Sequence, residues 1–203
     1  MAGSAAEFTR AWVGIGEYRG EYVEDGCGQK IAHGWGRFEY DNNDCYEGEF
    51  HAGCRHGEGT CTFGANGMTY KGEWCCDHMQ GAGELVYADD NSRYSGEFHA
   101  SAKHGQGTQT YADGEYSGAF LDNKRQGQGR YKYKDGGVYE GEWNGHKMHG
   151  KGTYWHKKNG WKYEGEWYNG KRHGTGVLEY ENGDVYHGEF HKNLLQGRMG
   201  GRS

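Results

Sequence analysis

The chain has 203 residues, with 40 glycines, 17 tyrosines, no proline and a formal net charge of −6. Leu, Ile, Val and Phe together number only 20, too few for the aliphatic core of a Rossmann domain or a TIM barrel. Disorder is excluded too, because it goes with few aromatics and abundant proline, whereas aromatic residues make up 15% of this chain.

Residues 1–17 form an N-terminal segment. MAGSAAEFTRAW lacks the apolar run of a secretory leader, and no stretch approaches the ~20 apolar residues of a membrane-spanning helix. The expected location is cytoplasmic, with reduced thiols at Cys27, Cys45, Cys54, Cys61, Cys75 and Cys76, all within the first 76 residues. Trp12-Val-Gly-Ile-Gly16 imitates a repeat's second strand and is expected to cap the array that follows.

From residue 18 a period governs the sequence. Tyrosines followed by x-Gly stand at Tyr18, Tyr46, Tyr70, Tyr94, Tyr116, Tyr139, Tyr163 and Tyr186, at spacings of 28, 24, 24, 22, 23, 24 and 23. Each unit opens Tyr-x-Gly-x-aromatic, and a Gly-x-Gly follows in the first seven, from Gly34/Gly36 to Gly174/Gly176. Side chains alternate with period two: Tyr163, Gly165 and Trp167 share one face while Glu164 and Glu166 share the other. Turn residues such as Asn182-Gly183-Asp184 separate the runs. Each repeat therefore predicts a β-hairpin. The fold class expected is all-β: an elongated single-sheet solenoid of about eight stacked antiparallel hairpins over 18–193, with a C-terminal tail at 194–203.

Stacking turns repeated positions into columns. One reads Tyr22, Phe50, Trp74, Phe98, Phe120, Trp143, Trp167 and Phe190; a second reads Tyr40, Phe63, Tyr87, Tyr111, Tyr133, His156 and Tyr180; the leading tyrosines make a third. Rings over glycines replace the aliphatic core, and proline is absent because a ladder of central strands needs its N–H donors.

The unit, best seen at Tyr139–Gly160 and Tyr163–Gly183, resembles the MORN repeat (membrane occupation and recognition nexus), close to YEGEWxNGKxHGxGxxxxxxG. Departures are an insertion around CGQKIA, Ala119 in place of the usual Glu, and Met199 where a last Gly belongs, which suggests that the array ends there. The resemblance implies a non-enzymatic scaffold or adaptor, often of cytoskeletal, ciliary or flagellar assemblies. Family members that are enzymes carry these repeats beside a separate catalytic domain, for which this chain has no room.

Other strings do not spell chemistry. GQGR at Gly127 lacks the helix a phosphate loop needs, and His187 and His191 sit on a strand, where residues four apart do not meet as on a helix. His33, His56, His104, His149 and His173 precede the first Gly of five of the seven pairs. Equivalent positions in successive hairpins are ~10 Å apart by strand spacing, too far for one zinc, so no cofactor, catalytic set or metal ligand set is expected within the chain. Some members of the family use zinc between chains, which the resemblance extends to these cysteines and histidines as an intermolecular site. The outward Glu21, Glu49, Glu73, Glu97, Glu142, Glu166 and Glu189 read as a solvated face.

Two binding surfaces are expected. A single sheet cannot cover both faces, so a row of rings is expected to line a groove for a partner peptide or amphipathic helix: Tyr46, Phe50, Tyr70, Trp74, Tyr94, Phe98, Tyr116, Tyr139, Trp143, Tyr163 and Trp167. The alternative is a basic edge of turn residues facing anionic phospholipid or an acidic protein: Arg55, Lys103, Lys124, Arg125, Lys147, Lys171, Arg172 and Lys192. Residues 1–101 hold 7 Lys/Arg against 17 Asp/Glu, and 102–203 hold 16 against 12. These opposite charges and the open sheet ends predict a homodimer; no nucleic-acid partner is expected.

Overall fold

Alternation of large inward and polar outward side chains gives strands almost throughout. The computed structural model describes residues 7–12 and 15–196, and among these it holds seventeen strands, one 3-10 turn at Lys157–Asn159 and no α-helix. The chain divides into two units, 1–102 and 103–203. In the first, β1 (Glu7–Trp12), β2 (Gly16–Glu24), β3 (Lys30–Tyr40), β4 (Cys45–His51), β5 (Cys54–Phe63), β6 (Met68–Cys75), β7 (His78–Val86) and β8 (Arg93–His99) pair antiparallel in chain order. In the second, β9 (Ala102–Tyr111), β10 (Gly114–Leu121), β11 (Lys124–Tyr133), β12 (Val138–Asn144), β13 (Lys147–His156), β14 (Trp161–Tyr168), β15 (Lys171–Glu179), β16 (Val185–His191) and β17 (Leu194–Gln196) do the same. Strand β1 pairs Trp12 with Gly16; Val13 and Gly14 of the expected cap, and Met199, lie outside the described residues. Pairing continues past residue 193, since β17 pairs with β16.

The leading tyrosines explain how so few aliphatic residues suffice. Tyr18, Tyr46, Tyr70, Tyr94, Tyr116, Tyr139 and Tyr163 are all 0% exposed. Each lies flat on bare backbone: a Cβ on Gly152 would stand 2.4 Å from the Tyr139 Oη. The phenol is satisfied locally, because Tyr139 Oη donates to the Glu142 carbonyl at 2.9 Å, and the other seven leading tyrosines do the same three residues on. Rings then interlock edge to face. In the C-terminal unit Phe120, Tyr116, Trp143, Tyr139, Trp167, Tyr163, Phe190 and Tyr186 form a chain at centroid distances of 4.8–5.4 Å. Tyr18, Phe50, Tyr46, Trp74, Tyr70, Phe98 and Tyr94 do so in the N-terminal unit at 4.9–5.3 Å. Each such contact contributes ~0.5–1.5 kcal/mol beyond burial.

This corrects the expected aromatic groove. Tyr46, Phe50, Tyr70, Trp74, Tyr94, Phe98, Tyr116, Tyr139, Trp143, Tyr163 and Trp167 are all buried and line no open surface. A phenol laid over glycine and flanked by two perpendicular rings needs no second layer to exclude water. The column from Tyr40 to Tyr180 forms the half-buried margin beside it.

The recurrent glutamate is also more than a solvated side chain. Between Gly141↔Gly152 and Glu142↔His149 the return strand carries two extra residues, Gly150 and Lys151. Gly150 takes φ +55°, and the Glu142 carboxylate lies against it, accepting the Lys151 N–H at 2.8 Å. Glu49, Glu73 and Glu166 accept the N–H of Glu58, Ala82 and Thr175 in the same way, so the carboxylate closes the bulge.

Candidate functional site

The eight turn cations divide into two sets. Arg55, Arg125 and Arg172 pair across their hairpins with the inward Phe50, Phe120 and Trp167, so they share the aromatic face. Their guanidiniums lie 4.3 Å from the Trp74 ring, 4.5 Å from Trp143 and 5.3 Å from Trp161. Each also donates to a carbonyl in the next hairpin's turn, Arg55 to Asp77 at 3.0 Å, Arg125 to His146 at 3.0 Å and Arg172 to Asn193 at 3.2 Å. Arg55 adds an ion pair to the Asp77 carboxylate at 3.0 Å. Burial would raise that carboxyl, but the backbone N–H and guanidinium of Arg55 outweigh it and hold it below the usual range. Lys103 is buried against Gln109, and burial pulls its amine down to about 8. The expectation of one basic edge is thus corrected: Arg55, Lys103, Arg125 and Arg172 pack inward, and only Lys124, Lys147, Lys171 and Lys192 are exposed.

The opposite, outward face carries a groove. In the C-terminal unit it encloses about 990 Å³ over Gly141, Gly152, Gly165, Gly176 and Gly188, the positions where strands present bare backbone. Its charged lining is five glutamates, Glu140, Glu142, Glu164, Glu166 and Glu189, against Lys151 alone, with His187, Thr153, Thr175, Val177 and Trp155 beside them. The Thr175 hydroxyl and N–H hold the Glu166 carboxyl below the ordinary carboxylate range, keeping it ionised. Glu140 reaches Arg130 at 3.9 Å and Glu164 reaches Lys162 at 3.1 Å, yet both carboxylates stay more than half exposed, at 62% and 64%. A smaller groove of about 490 Å³ in the N-terminal unit has Glu58, Glu84 and Glu97 around Gly72, Gly83 and Gly96, with Lys71. Sequence reasoning missed Trp155, 39% exposed, although its parity, one residue past the inward Tyr154, marks it as an outward ring.

Near the turns the outward face also gathers imidazoles. His51 of β4 stands between His33 of β3 and His56 of β5, at centroid distances of 4.9 and 5.5 Å. The ~10 Å column spacing inferred for these histidines omitted the strand between equivalent positions. His149, Tyr168, His173 and His191 continue likewise in the C-terminal unit at 5.1–5.8 Å. Beside His56 lie Cys75 and Cys76, and the three ligand atoms fall within 4.8 Å of one another. All six cysteines are free thiols.

None of the curated proteins matches the chain. Among solved structures it is similar to the TCP domain of SAS-4 (dCPAP) of Drosophila melanogaster, solved in complex with a proline rich motif of Ana2 (dSTIL). That similarity has 10% identity and a TM-score of 0.46, and covers 92% of this chain and 93% of that one. The MORN repeat model matches residues 46–68, 70–92, 94–115, 116–138, 139–160, 163–185 and 186–198. It begins after residues 18–45, although the β2–β3 hairpin there has the same buried tyrosine bonded to the carbonyl three residues on. With seven repeats matched in register with the leading tyrosines, the chain belongs to the MORN repeat family.

Proposed function

We propose that this protein is a non-catalytic scaffold that receives a basic segment of a partner protein on the outward face of its C-terminal unit. The observation that supports this reading is the glycine-floored groove, with five glutamates to one lysine and Trp155 exposed within it. Glycine lets a second backbone approach closely, ionised carboxylates attract Lys and Arg, and an exposed indole takes an apolar or cationic side chain on its face. The partner is therefore a Lys/Arg-rich extended peptide or amphipathic helix.

A fluorescence-anisotropy titration tests it with a basic peptide and an acidic peptide of equal length. The basic one binds with an affinity that falls as salt rises, and Trp155→Ala or Glu140→Lys/Glu164→Lys weakens it by roughly tenfold or more. Equal binding of the acidic peptide sinks the proposal. Recruitment into a cytoskeletal or ciliary assembly is part of this reading and rests on the family; imaging of the tagged protein tests it. Anionic phospholipid is a second reading, supported now by Lys124, Lys147, Lys171 and Lys192 alone; vesicle co-sedimentation that survives their joint replacement by Ala removes it. Self-association through the sheet ends predicts salt-sensitive dimers in sedimentation.

A further inference from the structure

The geometry points to a zinc site within the N-terminal unit, formed by His56, Cys75 and Cys76. His56 lies on β5 and Cys75 on the neighbouring β6, where register sets Gly57 opposite Trp74 and so brings these two outward side chains together. Cys76 begins the turn after β6. In an extended strand consecutive side chains point to opposite faces, but Cys76 adopts φ +48°, and this left-handed residue leaves its thiol on the side of its neighbour. The two Sγ atoms are 3.9 Å apart. Two thiolates on a tetrahedral Zn²⁺ with ~2.3 Å bonds stand ~3.8 Å apart, so the pair needs almost no adjustment.

The His56 nitrogen completes a Cys₂His set, with all three ligand atoms within 4.8 Å of one another. Thiolate and imidazole together select a thiophilic cation over Mg²⁺ or Ca²⁺. Both cysteines are exposed and His56 is half-buried, so the ion loads from solvent and keeps its fourth position for water. Binding displaces the two thiol protons, which makes affinity rise with pH. The site lies in one chain, unlike the intermolecular zinc that the family resemblance implies.

The test uses the whole reduced protein, stripped with chelator. Titration with Zn²⁺ against a chromophoric chelator gives one equivalent per chain, independent of protein concentration. Co²⁺ in its place gives a tetrahedral visible spectrum with thiolate-to-metal absorption. Cys75→Ser, Cys76→Ser and His56→Gln each lower affinity by at least roughly 100-fold, whereas Cys27→Ser, in a different turn, changes nothing. No stoichiometric binding, a cobalt spectrum without sulfur absorption, or binding that survives all three substitutions overturns the site. The wild-type cobalt spectrum decides the matter even if a variant misfolds.

Discussion

The two units can be compared along the same column beside their turns. In the N-terminal unit it runs His33, His51 and His56 and meets Cys75; in the C-terminal unit it runs His149, Tyr168, His173 and His191. On the outward face, one unit has a small groove and the other a larger one with an exposed tryptophan. The charge balance reverses between them, at 7 Lys/Arg against 17 Asp/Glu and then 16 against 12. Inward, by contrast, they are built alike: tyrosine over glycine, phenol to carbonyl, perpendicular rings. Apart from the bulge-closing glutamates, the packing that folds each repeat therefore occupies one parity of each strand, and the other parity differs between the units.

The largest expected effect probes the shared face. Burial raises the phenols of Tyr18 in the first unit and of Tyr116 and Tyr163 in the second to about 12, against ~10 in the unfolded chain. The folded state then holds protons that the unfolded state releases. Stability is full below pH ~10 and is lost as pH rises towards 12, by an amount on the order of 2–3 kcal/mol per tyrosine. Denaturant midpoints measured from pH 9 to 12 should fall for both units. Lys103 adds an opposite slope to the C-terminal unit alone: its folded value of about 8 lies below the ordinary 10.5, so stability rises between these values as the unfolded chain loses its extra proton. Lys103→Met abolishes that rise.

Next in size is Gly→Ala beneath a ring. A Cβ on Gly59 would stand 2.3 Å from Tyr46 Oη, and one on Gly152 2.4 Å from Tyr139 Oη. Each substitution should cost about 3 kcal/mol through overpacking, read from urea unfolding followed by tryptophan fluorescence. Matching losses sustain the equivalence of the two inner faces, and a loss in one unit alone breaks it.

Arg55→Ala and Arg125→Ala should each cost about 2 kcal/mol, through lost ring packing and turn bonds. They separate with pH. Only Arg55 has a carboxylate partner, Asp77, whose pKa is lowered in the fold, so its contribution is present above the unfolded carboxyl value of ~3.8 and lost as pH falls through the folded one. Thermal melts at pH 7 and pH 3 distinguish the two. The smallest effect is Lys124→Ala, within about 0.5 kcal/mol because the side chain is exposed; a loss as large as that of Arg125 would contradict the division of the turn cations.

Much of this was legible before any coordinates. Tyr139, Gly141 and Trp143 announce an inward face by alternation, and eight returns of the motif announce stacking. Arg125 was legible too, since it shares parity with Gly127, Gly129 and Tyr131; grouping cations by their turn obscures this. Cys75 and His56 were not, because their approach depends on inter-strand register and on the left-handed turn at Cys76, neither of which local sequence displays.

The sequence by itself determined the period, the hairpins and the parity of each side chain, because alternation and turn chemistry are local properties of the chain. Only the tertiary structure decided which face is closed. The phenols lie flat on the glycines of an adjacent strand and are hemmed by rings from the next hairpin, so the face expected to stay open is dry. The glycine-floored face with the glutamates is the one left open.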